Sequence, residues 1–249
     1  MIKLKNPTAS GIDNPTEIQS LFPSPMIESL RNLESIQLLR CDSLEVIFQL
    51  EELNAKVASV LDQLRELHLL DLPKLKHIWM KGPERITGFG NLRFLEVWAC
   101  NSLTYLLSPS IAKLFVMLED IKVNYCEKIE EILERAREEE KEKKISFYKV
   151  KSIWLEDLPN LKCFCNEVNA FKWPSLKKIT VIRCPALCTF VPFDLNTPKL
   201  EGVYGQNEWD QQTMFPWKGD LNATIQHMFQ GEVRLILTTS KNLQIFQFY

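Results

Sequence analysis

The cysteines are the side chains best suited to chemistry in this sequence, as zinc ligands or as a disulfide. Seven are present, and two close pairs stand out, Cys163-x-Cys165 and Cys184-x-x-x-Cys188. Neither spacing is the C-x-x-C that zinc sites favour. An odd number of cysteines also argues against a complete disulfide framework. We therefore predict no metal site and reduced thiols.

The histidines and the glycines point to no catalytic site. His68, His77 and His227 lie outside the H-E-x-x-H and other nucleophile-activating motifs. The sequence has neither a G-x-S-x-G motif nor a phosphate-binding G-x-x-x-x-G-K-[ST] loop, and only eight glycines. We predict that the protein is not an enzyme, that it has no catalytic residue and that it binds no cofactor.

Charge and hydropathy exclude two further classes of function. The formal net charge is -2, and the charged run 134–144 mixes acids with bases, so we predict a solvated insertion and no nucleic-acid partner. No apolar run approaches the roughly 18 residues of a membrane span, and the first residues lack a secretory apolar region. These features predict a cytoplasmic protein.

A repeated apolar spacing positions all of these side chains. Six segments follow the pattern L-x-x-L-x-x-L-x-L-x-x-(C or L)-x-x-L-x-x-L, and a seventh is weaker. Because L-x-L has a period of two, it predicts a short strand with two inward side chains. One coil cannot bury its apolar residues alone, whereas stacked coils share one core. The third apolar slots are Ile36, Leu67, Leu95, Ile121, Ile153, Ile179 and Val203.

The slot after the strand is filled in two ways. Cysteine occupies it in four segments, where a buried thiol acts as a small hydrophobe and a weak donor to the turn. In the near copies 71–76, DLPKLK, and 157–162, DLPNLK, the slot holds leucine followed by proline. The cysteines are Cys41, Cys100, Cys126 and Cys184.

These repeats predict an α/β leucine-rich-repeat solenoid, curved, with one parallel strand per coil and an irregular or short-helical convex side. We divide the chain into an irregular segment 1–27, in which Ile2 and Leu4 could be the stump of an earlier coil, a solenoid 28–207, a capping segment 208–231 and a tail 232–249 of uncertain structure. Short helices are predicted after Ser108 and over 51–61. Asp220 is predicted to cap a helix in the capping segment, with Leu221, Ile225, Met228 and Phe229 on one face.

Side chains that alternate with the inward pair must lie on the other side of the strands, a surface we call the concave face. Such positions are usually polar, yet several here are aromatic or aliphatic, which is typical of partner-binding surfaces. Alternatively, these side chains pack along neighbouring strands or against the rest of a longer protein. The predicted protein-binding residues are Gln37, Leu39, His68, Leu70, Phe94, Glu96, Trp98, Lys122, Trp154, Glu156, Lys178, Thr180, Ile182 and Tyr204.

The L-x-x-L-x-L-x-x-C-x-x-L-x-x-I and L-x-x-L-P-x-L-K coils resemble the leucine-rich-repeat region of plant intracellular immune receptors of the coiled-coil nucleotide-binding (NLR) class. The segment 217–226, WKGDLNATIQ, resembles the ends of such receptors. The resemblance implies a protein-recognition module of innate immunity. Its partner would be a pathogen effector, a guarded host protein or the nucleotide-binding module of the same receptor.

One departure from that class is large, because this chain carries no phosphate-binding loop. It therefore resembles the sensing part of a receptor without the nucleotide switch, as in a fragment or a truncated product. The alternative function is a leucine-rich-repeat substrate adaptor of a ubiquitin ligase. Such an adaptor needs an F-box helical module, for which residues 1–30 are too short and too rich in proline.

Overall fold

The computed structural model describes residues 2–5, 20–22, 27, 30, 32–50, 61–80, 88–135, 145–166, 172–192, 195, 197–206 and 212–228. Residues 51–60 of the helix predicted over 51–61, most of the charged run, Phe229 and the tail 232–249 lie outside these residues. The elements are β1 Ile2–Lys5, β2 Ser20–Phe22, β3 Ser35–Leu39, β4 Val46–Phe48, β5 Glu66–Leu70, β6 His77–Trp79, β7 Phe94–Trp98, β8 Tyr105–Leu107, α1 Pro109–Ala112, β9 Asp120–Asn124, β10 Glu131–Leu133, β11 Ser152–Glu156, β12 Lys178–Ile182, β13 Gly202–Gln206 and β14 Gln212–Phe215.

One sheet runs the length of the described chain, in the order β1-β3-β5-β7-β9-β11-β12-β13-β14. All neighbours are parallel except β13 and β14, which are antiparallel. We number coils 1 to 7 by their strands β3, β5, β7, β9, β11, β12 and β13. The predicted solenoid with one parallel strand per coil is confirmed.

The third apolar slots of the seven coils lie side by side. Ile36 pairs in register with Leu67, Leu67 with Leu95, and the series continues unbroken to Val203. All seven side chains are 0–1% exposed. The apolar spacing in the sequence therefore forms one continuous spine, buried by the coils on either side.

The return segments contain short strands as well as a short helix. β2, β4 and β6 form one small parallel sheet, and β8 pairs with β10 in another. The helix predicted after Ser108 is confirmed as α1, although the Ser108 hydroxyl makes no capping hydrogen bond. Buried rings pack between these segments, as in the stack of Phe22 on Phe48 at 5.5 Å and of Phe164 on Phe190 at 5.3 Å.

Each of coils 1 to 6 leaves its strand through a residue with positive φ, between 49° and 57°. Non-glycine residues rarely adopt this conformation, but here neighbouring coils stabilise it. The amide of Ala99 donates to Asn124 O at 3.0 Å, and that of Tyr125 donates to Glu156 O at 2.9 Å. The six turn residues are Arg40, Asp71, Ala99, Tyr125, Asp157 and Arg183.

The slot cysteines close this turn from inside. Cys126 Sγ donates to Asn124 O at 3.3 Å and accepts from Cys100 N at 3.4 Å, which links two coils. Cys184 Sγ donates to Ile182 O at 3.3 Å. The predicted roles of the thiol, small hydrophobe and weak donor, are confirmed at these positions.

The DLPxLK copies serve as structural variants of the same turn. Their aspartates, Asp71 and Asp157, occupy the positive-φ position, and the leucines that follow are fully buried in place of cysteine. The final lysines bind glutamates one coil earlier, Lys76 to Glu45 at 2.8 Å and Lys162 to Glu130 at 2.5 Å. The motif therefore combines turn geometry, core packing and an exposed ion pair.

Both ends add to the sheet. In the range 1–27, where the sequence predicts an irregular segment, residues 2–5 and 20–22 are strands, and β1 pairs with β3 as the stump of an earlier coil would. At the other end, residues 221–228 are helical and Asp220 Oδ1 accepts from Ala223 N at 2.8 Å, as predicted. Asn222 binds this helix to coil 6, because its Oδ1 accepts from Phe190 N at 2.8 Å and its Nδ2 donates to Val191 O at 2.7 Å.

Candidate protein-recognition surface

The strands present the concave face as three rows of side chains, one for each outward strand position. Strand pairing keeps equivalent positions of successive coils in register, so each row is a ladder across the sheet. The first row holds Ser35, Glu66, Phe94, Asp120, Ser152, Lys178 and Gly202; the middle row holds Gln37, His68, Glu96, Lys122, Trp154, Thr180 and Tyr204; the last row holds Leu39, Leu70, Trp98, Asn124, Glu156 and Ile182.

Twelve of the fourteen predicted binding residues are partly or fully exposed, whereas Thr180 and Ile182 are buried, at 1% and 4% exposure. Thr180 lies between Trp154 and Tyr204 in the middle row, and its hydroxyl accepts from Gln212 Nε2 at 3.4 Å. Large neighbouring rings and β14 therefore shield it, which spacing along one strand does not reveal.

Ile182 is the last residue of β12. The side chain of Arg183, the next residue, connects the ends of the two flanking strands, β11 and β13. Arg183 donates to Glu156 at 2.8 Å and to Gln206 at 2.5 Å, and it also binds both carboxylate oxygens of Asp157. These acids raise the pKa of Arg183 further, so it is always charged. This side chain thus links β11 to β13 beside Ile182, which is 4% exposed.

Two glutamates flank His68 in the middle of coils 2 and 3. His68 Nδ1 lies 2.8 Å from Glu96 Oε2, and His68 Nε2 lies 3.7 Å from Glu66 Oε2. The ring of His68 also packs against that of Phe94, with centroids 5.1 Å apart. These contacts hold the two carboxylates in fixed positions beside an aromatic ring.

Lysines of the later coils cover aromatic rings of the concave face. Lys122 Nζ lies 5.2 Å from the ring centroid of Phe94, and Lys178 Nζ lies 4.4 Å from Tyr204 and 5.9 Å from Trp154. Such contacts are attractive because the ring face is electron-rich. The Trp154 indole also donates to Glu156 at 2.9 Å. The polar and aromatic residues of coils 4 to 7 are thus largely paired with each other.

Trp98 is the strand aromatic most open to solvent, and a residue outside the predicted set supports it. Trp98 is 39% exposed and packs against Tyr125, which is 41% exposed, with centroids 5.7 Å apart. Tyr125 was not predicted because it follows its strand. The signal was present in the repeat, since each of coils 1 to 6 places the residue after the strand in the same turn. The negative charges of Glu156 and Asp157 raise the pKa of Tyr125, which stays neutral.

Acidic groups at the start of β9 have opposite pKa shifts. Burial, followed by the charge of Glu119, raises the pKa of Asp120 on the concave face. The pKa of Glu119 is lowered mainly by its hydrogen bond with Lys151, and Arg93 adds to this effect. The carboxylate of Asp120 is therefore destabilised in its charged form, whereas that of Glu119 is stabilised.

Most thiols of the described residues are buried, and the titratable groups there form no metal site. None of the seven cysteines forms a disulfide, and burial raises the pKa of Cys126 and Cys163 to about 12, so these two thiols stay protonated. Among the residues described, no group of three or more His, Cys, Asp or Glu side chains could hold a metal ion. None of the helices described is long and apolar enough to cross a membrane.

Comparison with known proteins gives two matches. The sequence profile of the family described as "Plant disease resistance protein RPS2-like, leucine-rich repeats" matches residues 10–127 and 113–201. A putative disease resistance protein of Arabidopsis thaliana is 29% identical over 170 residues, which is 68% of this chain and 12% of that protein. The chain therefore spans about an eighth of this relative's length. No solved structure matches the chain significantly.

Proposed function

This chain belongs to the family of RPS2-like leucine-rich repeats of plant disease resistance proteins, and we propose that it is the protein-recognition module of an intracellular immune receptor. The partner binds the concave face and is a pathogen effector, a guarded host protein or the nucleotide-binding module of the same receptor. The module works in the cytoplasm and carries out no catalytic step. Both matches name disease resistance proteins, so we prefer this function to a ubiquitin-ligase adaptor.

The aromatic and charged side chains that the strands hold in register on the concave face support this proposal. Neighbouring strands lie about 4.8 Å apart, so the six steps from β3 to β13 span roughly 29 Å. Each five-residue strand adds roughly 16 Å in the other direction. Trp98, Trp154 and Tyr204 lie on this surface, and aromatic side chains often dominate the binding energy of interfaces.

The proposed mechanism is competition between two partners for one surface. In the resting receptor the concave face holds the nucleotide-binding module inactive, and a second protein displaces it. Moving such an equilibrium from 1:99 to 99:1 requires a difference in affinity of about 10⁴-fold between the two states. Several separate aromatic and charged contacts on one surface can together give this difference in affinity, because each contact adds a part of the binding free energy.

Alanine substitution tests the proposal directly. Trp98→Ala together with Trp154→Ala should weaken binding of the nucleotide-binding module of a coiled-coil-class receptor, or of an effector from a test panel, by at least roughly tenfold. Trp217→Ala is the matched control, because Trp217 is 52% exposed but lies outside the strands. Circular dichroism checks that each variant is folded.

Equal affinity of the double variant and the parent chain would refute concave-face recognition. The sequence of the gene around this region supplies a separate test. A phosphate-binding loop encoded in the same receptor supports the role in holding a nucleotide-binding module, and an F-box module there would favour the ubiquitin-ligase adaptor instead.

A further inference from the structure

The first and the later coils of the concave face differ in charge. The outward residues of β3, β5 and β7 include the acids Glu66 and Glu96 and no lysine or arginine. In β9 and β12 the outward residues include Lys122 and Lys178, each of which lies over an aromatic ring. Coils 1 to 3 are therefore the acidic part of a surface whose later part is electrically mixed.

An apolar strip lies beside these acids. Leu39, Leu70 and Trp98 are consecutive in the last row, and strand pairing places each next to the following one. Tyr125 extends the strip by packing on Trp98. The half-buried leucines and the 39%-exposed tryptophan form an apolar surface that is exposed to water, as at many protein-binding sites.

The two glutamates are the acids beside the strip, and Lys122, in register with Glu96 on the neighbouring strand, has its ammonium group over the ring of Phe94. At the rim, Arg40 pairs with Asp71 at 3.6 Å, so the two charges offset each other. Glu66 has 55% of its side chain exposed and Glu96 has 24%. The two carboxylates lie on either side of His68, and their exposed oxygens are available to a cation from outside.

The geometry also favours a particular cation. Glu96 and Trp98 lie two residues apart on one strand and on the same face, so their Cα atoms are roughly 7 Å apart. A planar guanidinium can stack on an indole while it pairs with a nearby carboxylate. Among the described residues, the cation–ring contacts involve Phe94, Trp154 and Tyr204 and not Trp98.

We infer that coils 1 to 3 bind a basic and apolar segment of a partner protein. An arginine of this segment stacks on Trp98 and pairs with Glu96, and the segment's apolar side chains pack over Leu39 and Leu70. This inference rests on the proposed function and adds to it the chemistry of the partner. The bound segment is a polypeptide, because the strip offers separate apolar and acidic contacts along roughly 10 Å of neighbouring strands.

The test uses a random library of 12-residue peptides displayed on phage, selected on the folded 249-residue chain. The enriched peptides should carry arginine or lysine next to leucine or aromatic residues and should lack acids. For synthetic copies, affinity should fall at least roughly tenfold in Trp98→Ala and severalfold in Glu96→Gln. Raising the salt concentration should weaken binding, since the partner charges are exposed.

Two matched variants on the later coils serve as controls. Tyr148→Ala removes an exposed aromatic ring outside the strands and Asp120→Asn removes an acid from β9, and neither should change the affinity of the basic peptides by more than about twofold. Circular dichroism again establishes that each variant is folded.

Three results would overturn the inference: no enriched peptide, enriched peptides that are acidic, or basic peptides that bind Trp98→Ala as tightly as the parent chain. Acidic peptides that lose affinity in Lys122→Ala and Lys178→Ala would leave the proposed function intact, because the concave face would still be the recognition surface. Failure of the proposed function is shown separately, by a receptor partner that binds the Trp98→Ala, Trp154→Ala double variant without loss.

Discussion

Replacing Cys126 tests whether the slot cysteines stabilise the solenoid by hydrogen bonding as well as by packing. Cys126 lies in coil 4, fully buried, with its thiol bonded to Asn124 O and to Cys100 N. Cys126→Ala removes the sulfur and leaves the buried amide of Cys100 without this partner. We expect a clear loss of stability although no charge and no large side chain is changed.

The magnitude follows from two contributions. The lost sulfur is comparable to a buried methylene group, which stabilises by about 0.8 kcal/mol. An unsatisfied buried amide costs about 1–3 kcal/mol. The free energy of unfolding should therefore fall by about 2–4 kcal/mol in Cys126→Ala. Cys126→Ser keeps a donor and an acceptor, so it should be more stable than the alanine variant by about 1 kcal/mol.

Urea denaturation followed by circular dichroism measures these differences, and Cys188→Ala is the matched control. Cys188 is exposed, so its replacement should change the free energy of unfolding by less than about 0.5 kcal/mol. A serine variant no more stable than the alanine variant would refute the hydrogen-bonding role. Equal effects at Cys126 and Cys188 would refute the whole account. Ellman's reagent gives an independent check, since Cys188 should react in the folded protein and Cys126 should not.

Three further predictions concern the capping helix and the acids of β9. Gly205→Ala should lower the free energy of unfolding by about 1–3 kcal/mol, because the added Cβ would lie 2.7 Å from Met228 Cε and 3.1 Å from Val181 O; urea denaturation measures this, and an unchanged midpoint would contradict the close packing. Asn222→Ala should cost roughly 1–3 kcal/mol by the same assay, with exposed His227→Ala as control, and equal effects would show that Asn222 does not anchor the helix. Asp120→Asn should raise the free energy of unfolding at pH 7. The pKa of Asp120 is raised in the folded state, so its contribution to stability is full below the pKa of the unfolded chain and is lost as pH rises through the folded-state pKa. The gain in Asp120→Asn should therefore vanish below about pH 3.9, and a gain that persists there would refute burial of the charge as its cause.

Much of the proposed recognition surface could be predicted from alternation along single strands. A strand places successive side chains on opposite faces, so once Ile36 and Leu38 are inward, Gln37 and Leu39 must be outward. The same argument placed Trp98 and Trp154 correctly. It failed for Thr180 and Ile182, because their burial depends on Trp154, Tyr204, Arg183 and β14, which come from other coils.

For a related reason, the sequence pattern predicted neither the short strands of the return segments nor the position of Tyr125. Short strands such as β4 and β6 have three residues each, and the last two are both buried, so they show no period of two. Tyr125 follows its strand, so alternation assigned it to no face, and only the shared positive-φ turn brings it against Trp98.

The amino-acid order by itself determined the repeat, the buried spine and the faces of the strands, since these follow from local geometry repeated along the chain. Only the stacking of coils decided which outward side chains are paired, covered or open. Those properties are set by neighbours 23 to 32 residues away, such as Glu96 at His68 and Gln206 at Arg183. The proposed partner-binding role of the concave face belongs to that second level, because it depends on what the adjacent coils leave exposed.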